Sequence, residues 1–241
     1  MQSDGAGERA GEREMLARLR EAGADFDVAE ARRMLRSPYV TGRVISELLE
    51  RRELLRSSEL RREVAGHPRT PEVPARRLVA TLYWRDLVEL SRDPRVRPVV
   101  RRGAEVSLGE RLPGLSVGER IAIARRAGGG VVARLRFDPS PPVIAALLEN
   151  PRLTEPMLGP LLASERVPPQ VLEVVARDRR WGSRYGVRLA LCRNPRTPEA
   201  RVLGLLPSLR KSDLRAVARD PRLPSAVRRR AQLMVGEEPR I

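Results

Sequence analysis

One histidine and one cysteine are all that this 241-residue chain offers for imidazole-base, thiolate or soft-metal chemistry. Zinc sites and histidine-dependent acid–base schemes draw on several such residues, so His67 and Cys192 point elsewhere. His67 precedes a proline, as do Asp93, Asn194 and Asp220 in matching contexts, and it is read as a turn-capping side chain. Cys192 falls on an apolar helix stripe in register with Ala65, the place of a buried structural thiol rather than an activated one. Gly128-Gly129-Gly130 lacks the Lys-Ser/Thr and the preceding strand of a phosphate loop. No catalytic, cofactor-binding or metal-ligating residue is assigned, and no cofactor is expected.

The remaining chemistry is basic. Lys and Arg number 47 against 31 Asp and Glu, a formal charge of +16, which predicts attraction to polyanions or acidic protein faces and says nothing about fold. Arginine follows the turn proline at Arg69, Arg95, Arg152, Arg196 and Arg222. Equivalent turns of a repeat stack side by side, so these residues are expected to form a rail along one edge. Arg101-Arg102 and Arg228-Arg229-Arg230 add clusters at equivalent helix positions. Spaced arginines can track a phosphate backbone; equally, a turn arginine can bond the C-terminal carbonyls of the preceding helix. Trp84 and Trp181 stand in connections between helices and are candidate aromatic contacts. Aromatics are only 3% of the chain, too few for the stacking platforms of single-strand binding.

The elements that must position these residues come from internal repetition. Sliding the chain by 127 positions lays His67-Pro68-Arg69-Thr70-Pro71-Glu72 on Asn194-Pro195-Arg196-Thr197-Pro198-Glu199, and 17 of 38 positions over 67–104 and 194–231 are identical. That exceeds what composition yields. Upstream, Leu35, Pro38, Thr41, Leu48 and Leu49 fall on Leu148, Pro151, Thr154, Leu161 and Leu162 at an offset of 113. The sequence thus reads as two super-repeats with matched cores 35–107 and 148–234, the second carrying an inserted helix over 167–178. A polar residue before proline ends each helix, and between these marks apolar residues recur at helical spacing. Short helices that cannot bury a face alone can do so when stacked in series. The expected organisation is an N-terminal tail (1–13), a first super-repeat (14–107), an irregular joint with a Gly-rich break (108–137), a second super-repeat (138–235) and a C-terminal tail (236–241). About a dozen helices and no strand are expected. Ser116 and Glu119 form a capping-box signature within the joint. With no apolar run of membrane-spanning length, the chain reads as cytoplasmic and monomeric.

At its Asp/Asn-Pro-Arg-x-x-Pro turns the sequence resembles the bacterial HEAT-like and leucine-rich-repeat-variant families, over roughly 35–235. The resemblance implies an all-α fold, a right-handed α-solenoid of short HEAT-like helical repeats of the armadillo type, and carries no activity with it; the first expectation for function is a non-enzymatic adaptor or scaffold with a protein partner on its concave face. Such folds serve many functions. The alternative expectation is a nucleic-acid-binding solenoid using the arginine rail. A distant third rests on Trp84, Arg85 and Asp86, which are similar to the Trp, Asp and Arg of HEAT-like DNA glycosylases, although Asp86 recurs at Asp213 where Lys211 replaces the tryptophan.

Overall fold

The computed structural model describes residues 4–21 and 26–236. Among them every regular element is helical, with sixteen α-helices and no strand. The chain divides at Gly114 and Leu115 into two compact units. The first holds α1 (Asp4–Glu21), α2 (Val28–Leu35), α3 (Gly42–Glu50), α4 (Ser58–Gly66), α5 (Glu72–Thr81), α6 (Trp84–Arg92) and α7 (Pro98–Arg111). The second holds α8 (Val117–Arg126), α9 (Gly129–Leu135), α10 (Pro141–Leu148), α11 (Glu155–Ala163), α12 (Pro169–Arg177), α13 (Tyr185–Arg193), α14 (Glu199–Leu205), α15 (Lys211–Arg219) and α16 (Ser225–Val235). None is long and apolar enough to cross a membrane.

Local chemistry explains the boundaries. Asp27, Thr41 and Ser57 each accept a backbone N–H from the first turn of α2, α3 and α4, satisfying donors that a helix start leaves open. Ser116 and Glu119 close a reciprocal capping box at α8. The cores are aliphatic: Ile45, Leu48, Leu60 and Leu87 are fully buried in the first unit, Ile123, Ile144, Leu147 and Val171 in the second. Helices this short owe their stability to that packing rather than to propensity.

Within each unit several helices pack on the next but one along the chain. In the first, α2 packs on α4 and α4 on α6, while α1 packs on α3 and α5 on α7. In the second, α11 packs on α13 and α13 on α15, while α8 packs on α10, α10 on α12 and α14 on α16.

Three expectations are corrected. First, α2 to α7 recur in order as α11 to α16, and every start keeps the offset of 127: Val28 answers to Glu155, Gly42 to Pro169, and so on to Pro98 and Ser225. The segment 167–178 is therefore no insertion; it is the counterpart of α3, and the offset of 113 is off by one helix. Second, the segment read as an N-terminal tail is helical from Asp4, because Leu16 and Leu19 bury against the unit; residues 1–3 of that tail lie outside the described residues. The expected C-terminal tail is likewise undescribed beyond Gly236. Third, the joint is mostly helical. Gly128 caps α9 and Gly129 and Gly130 begin it, so the triplet separates two helices without breaking the structure, and the division between units falls earlier, at Gly114.

Candidate functional site

The turns that carry the candidate residues share one bonding scheme. The side chain before proline accepts the backbone N–H two residues on: His67 Nδ1 from Arg69 (3.1 Å), Asp93 from Arg95 (2.9 Å), Asn150 from Arg152 (2.8 Å), Asn194 from Arg196 (2.8 Å) and Asp220 from Arg222 (3.1 Å). This is the Asx-turn geometry that Asp and Asn favour. Asn150 and Asn194 go further. Each is almost wholly buried, and its amide donates to two carbonyls of an earlier helix end, Ala124 and Ala127 for Asn150, Leu162 and Ser164 for Asn194.

His67 occupies the slot of Asn194, and its ring faces the backbone of Leu35, the counterpart of Leu162 in the same register. Burial lowers its pKa below the usual imidazole value, and Arg69 adds to the shift, while the Leu35 backbone opposes it. A depressed histidine favours the neutral ring, so its contribution to stability is complete above about pH 6.5 and declines as pH falls below that. The expected result is a melting temperature that drops between about pH 7.5 and 5.5. In His67→Asn this drop should be smaller; equal drops in both proteins would show that His67 does not titrate on unfolding. Asp93 and Asp220 are held low by their Arg95 and Arg222 side chains, so their contribution is lost only in the acid range below about pH 4.

Cys192 is fully buried in the core of the second unit, and that burial pushes its thiol up to about 12 against the opposing charge of Arg188. A thiol held protonated and out of solvent is a poor nucleophile. Native protein should react with a thiol reagent only as fast as it opens, and Cys192→Ala should cost no more than about 1–2 kcal/mol, since Ala65 fills the same place. Stoichiometric labelling of the folded protein within the mixing time would contradict this.

The glycosylase-like trio comes apart. Asp86 accepts the hydroxyl of Ser58, with Arg62 at 3.7 Å, and its counterpart Asp213 accepts the hydroxyl of Tyr185. Ser58 and Tyr185 are themselves counterparts at the offset of 127, so this carboxylate ties the starts of alternate helices, α4 to α6 and α13 to α15. Trp84 is half-buried at the start of α6 with the Arg85 guanidinium over its ring. Trp181 is no surface contact: it is 1% exposed, donates Nε1–H to the Leu148 carbonyl at 2.9 Å, and has Arg180 and Arg184 within 4.7 Å of its ring.

Of the five turn arginines, all are exposed, but their guanidinium groups have different tasks. Arg69 donates to the Pro38 and Val40 carbonyls, Arg95 folds onto Asp93, and Arg222 onto Asp220 and Glu165. Other arginines do what Arg69 does. Arg97 bonds the Thr70 carbonyl, Arg111 those of Ala80 and Leu82, Arg136 that of Met157. Arg101 and Arg228 are half-buried at equivalent positions of α7 and α16, with Arg102 and Arg229 exposed beside them. These guanidinium groups are thus directed to backbone carbonyls; of those named, Ala80 and Leu82 lie at a helix C-terminus, that of α5, where the helix dipole favours a cation. The sequence shows the arginines but not which of them turn inward. Among the described residues no group of three metal-ligating side chains comes together.

One face distinguishes the units. On the row α2, α4 and α6, Arg32 pairs with Glu59 and Glu63, Arg62 approaches Asp86, and Glu89 is exposed. The equivalent positions on α11, α13 and α15 are Gly159, Gly186, Ala190, Leu189 and Ala216. Only Asp86 keeps its carboxylate there, as Asp213. These five positions of the ionic lattice become small or apolar, while a different pair, Arg184 with Glu155 at 3.1 Å, joins α11 and α13. A groove of about 370 Å³ lies here, walled by Gly159, Leu162, Ala163, Gly186, Leu189 and Ala190 and edged by Arg193 and Arg222 with Glu165. Its counterpart in the first unit, about 870 Å³, is lined by Arg62, Glu63, Glu89 and Arg92. Only comparison of the copies at the offset of 127 reveals this difference, which the offset of 113 conceals. In comparison with known proteins, the chain matches no family model, no curated protein and no solved structure.

Proposed function

We propose that the chain is a non-enzymatic adaptor, a right-handed α-solenoid of HEAT-like helical repeats that holds a protein partner against an exposed helix row. The observation that carries this reading is the divergence of that row between two otherwise matched units. Turn bonds, capping carboxylates and core positions recur in one register, while five neighbouring surface positions change from charged to small or apolar. A scaffold that only had to fold would gain nothing from leaving Leu189 half-exposed beside three small residues, whereas accessible apolar area edged by charge is the composition of a protein-binding surface. The adaptor reading is also supported by the tasks of His67, Cys192, Asp86 and Trp181, each of which serves packing or a turn.

The nucleic-acid alternative makes a separate demand. If a rail of turn arginines held phosphates, Arg196→Ala with Arg222→Ala would weaken duplex binding and flatten its dependence on log[salt] by about one unit per lost contact. The adaptor reading expects only weak, non-specific duplex association that vanishes between about 50 and 200 mM salt and is unchanged by the double substitution. The same changes should alter stability by no more than about 0.5 kcal/mol each. Tight duplex binding at the higher salt, lost in the double variant, would overturn the adaptor reading.

A further inference from the structure

We infer that the crevice at the starts of α11 and α13, in the second unit, receives an acidic, extended segment of a partner protein; the inference rests on the adaptor reading and names the chemistry of that segment.

Two cations line the crevice itself. It encloses about 780 Å³ among Pro151, Thr154, Glu155, Arg180, Trp181 and Arg184. The guanidinium groups of Arg180 and Arg184 lie 4.6 and 4.7 Å from the centre of the Trp181 ring. Stacking uses the face of a guanidinium and leaves its in-plane N–H donors free. It also holds the group in place, which lowers the cost of ordering it around a ligand. Arg184 commits one donor to Glu155 at 3.1 Å, while Arg180 pairs with no carboxylate among the described residues. A planar donor fork fixed in this way matches a carboxylate.

The stability of the unit does not call for these arginines. In the first unit Asp27 caps α2 and Ser57 caps α4. Their counterparts are Thr154 and Arg184, and neither side chain caps its helix. The first-turn N–H groups of α13 are left to solvent, and a cation beside them opposes the helix dipole. Trp181 does not need the cover either: its counterpart Leu54 is buried beside Glu53 and Ser57. A carboxylate between Arg180 and Arg184 would satisfy both the cations and the open helix start.

The arrangement recurs one helix further on. Arg210 precedes α15 with its guanidinium 4.8 Å from the centre of the Tyr185 ring, and Lys211 opens that helix. Both are exposed, and neither pairs with a carboxylate among the described residues. Tyr185 donates its hydroxyl to Asp213 and accepts the backbone N–H of Arg210 at 3.1 Å, so the starts of α13 and α15 lie side by side, as Arg184 and Glu155 join those of α11 and α13. Packed helices are about 8–10 Å apart, the span of about three residues of extended chain. The edge therefore suits a segment with a carboxylate at every third residue.

Glu155 and Asp213 decide between peptide and nucleic acid. They stand among the cations, where a backbone carrying a phosphate at every residue would meet them, whereas a peptide can set neutral residues opposite them. A second copy of this chain is disfavoured by its own +16.

The test uses the ¹⁵N-labelled full chain and an end-blocked peptide of about nine residues, with Glu at every third position and Ser or Gly elsewhere. At about 0.15 M salt the amide resonances of Gly182, Gly186 and Ser212 should move on titration. A peptide with Gln in place of Glu should bind at least about tenfold more weakly, and one with the same residues but contiguous Glu at least about threefold more weakly. The variant Arg180→Glu with Arg184→Ser copies the first unit at both places and should lose at least about tenfold in affinity. Lys211→Glu, at an exposed position away from Trp181, should lose at least about threefold and keeps the test decisive if the double variant fails to fold. Absence of binding at about 1 mM peptide, equal binding of the Gln or contiguous peptide, undiminished binding by either folded variant, or shifts confined to residues away from these three helix starts overturns the inference. Each of these leaves the adaptor reading intact, with the partner's contact elsewhere on the chain. A short thymidine oligonucleotide that moves the same three amides at this salt, and binds as tightly as the spaced peptide, overturns both.

Discussion

Trp181→Ala should lower the unfolding free energy by about 3–5 kcal/mol, the range for deleting a large buried aromatic. Trp181 is among the largest fully buried side chains, and its substitution empties the corner where the chain turns from α12 toward α13. The indole donates to the Leu148 carbonyl, Asp178 accepts the backbone N–H of Trp181 at 2.8 Å, and Gly182 is required because a Cβ would lie 2.5 Å from the Ala176 carbonyl. The equivalent residue in the first unit is Leu54, also buried. Trp181→Leu should accordingly cost less than the alanine variant, retaining apolar contact while leaving the Leu148 carbonyl without its donor, a loss of about 1–3 kcal/mol. Urea unfolding followed by far-ultraviolet circular dichroism separates the two. A loss below about 1 kcal/mol for the alanine variant would show that this corner collapses around the missing ring.

Asn194→Ala should cost about 2–4 kcal/mol, because it removes an acceptor and two donors from a buried position and strands the Leu162 and Ser164 carbonyls as well as the Arg196 N–H. Asn194→His copies the first unit's solution and should recover at least half of that loss at neutral pH. It should also add a pH-dependent decline below about pH 6.5, for the reason given for His67. Denaturant titration of the three proteins at two pH values checks both statements. Indistinguishable alanine and histidine variants would mean that the slot does not accept an imidazole.

The turn slots were legible in sequence because their chemistry is local. A residue that accepts the N–H two positions on must be Asn, Asp, Ser or an equivalent, and proline marks the place. Cys192 was legible for a similar reason, as a small residue on an apolar stripe. The repeat register upstream of residue 67 was not. α10, α11 and α12 start at evenly spaced positions, Pro141, Glu155 and Pro169, so a slip from one start to the next lays helix on helix and satisfies hydrophobic periodicity equally well. Over 67–104 identities select the offset of 127; upstream it is supported by long-range bonds, Ser58 with Asp86 and Tyr185 with Asp213, which no periodicity contains. α1 was hidden by Gly7, Gly11 and its charged residues. Gly11 lies against the Tyr39 ring, whose atoms would stand 2.6 Å from a Cβ, a constraint that exists only once the chain has folded. The fate of the arginines was equally unreadable, since the same side chain serves a carbonyl, a carboxylate or solvent according to where its helix ends.

The interhelical side-chain bonds have a consequence for how the chain acquires its structure. Those of Arg69, Arg97, Arg111, Asn150, Asn194, Asp86, Asp213 and Trp181 join residues no more than 33 apart, while that of Arg222 with Glu165 reaches 57. Partners this close in sequence keep loop-closure costs small and folding fast. At about 5–20 residues per second of synthesis, each helix waits roughly 1.5–6 seconds for the segment that completes its bonds. A nascent chain that has released Gly114 already carries every partner named for the first unit, so ordering can follow the ribosome helix by helix.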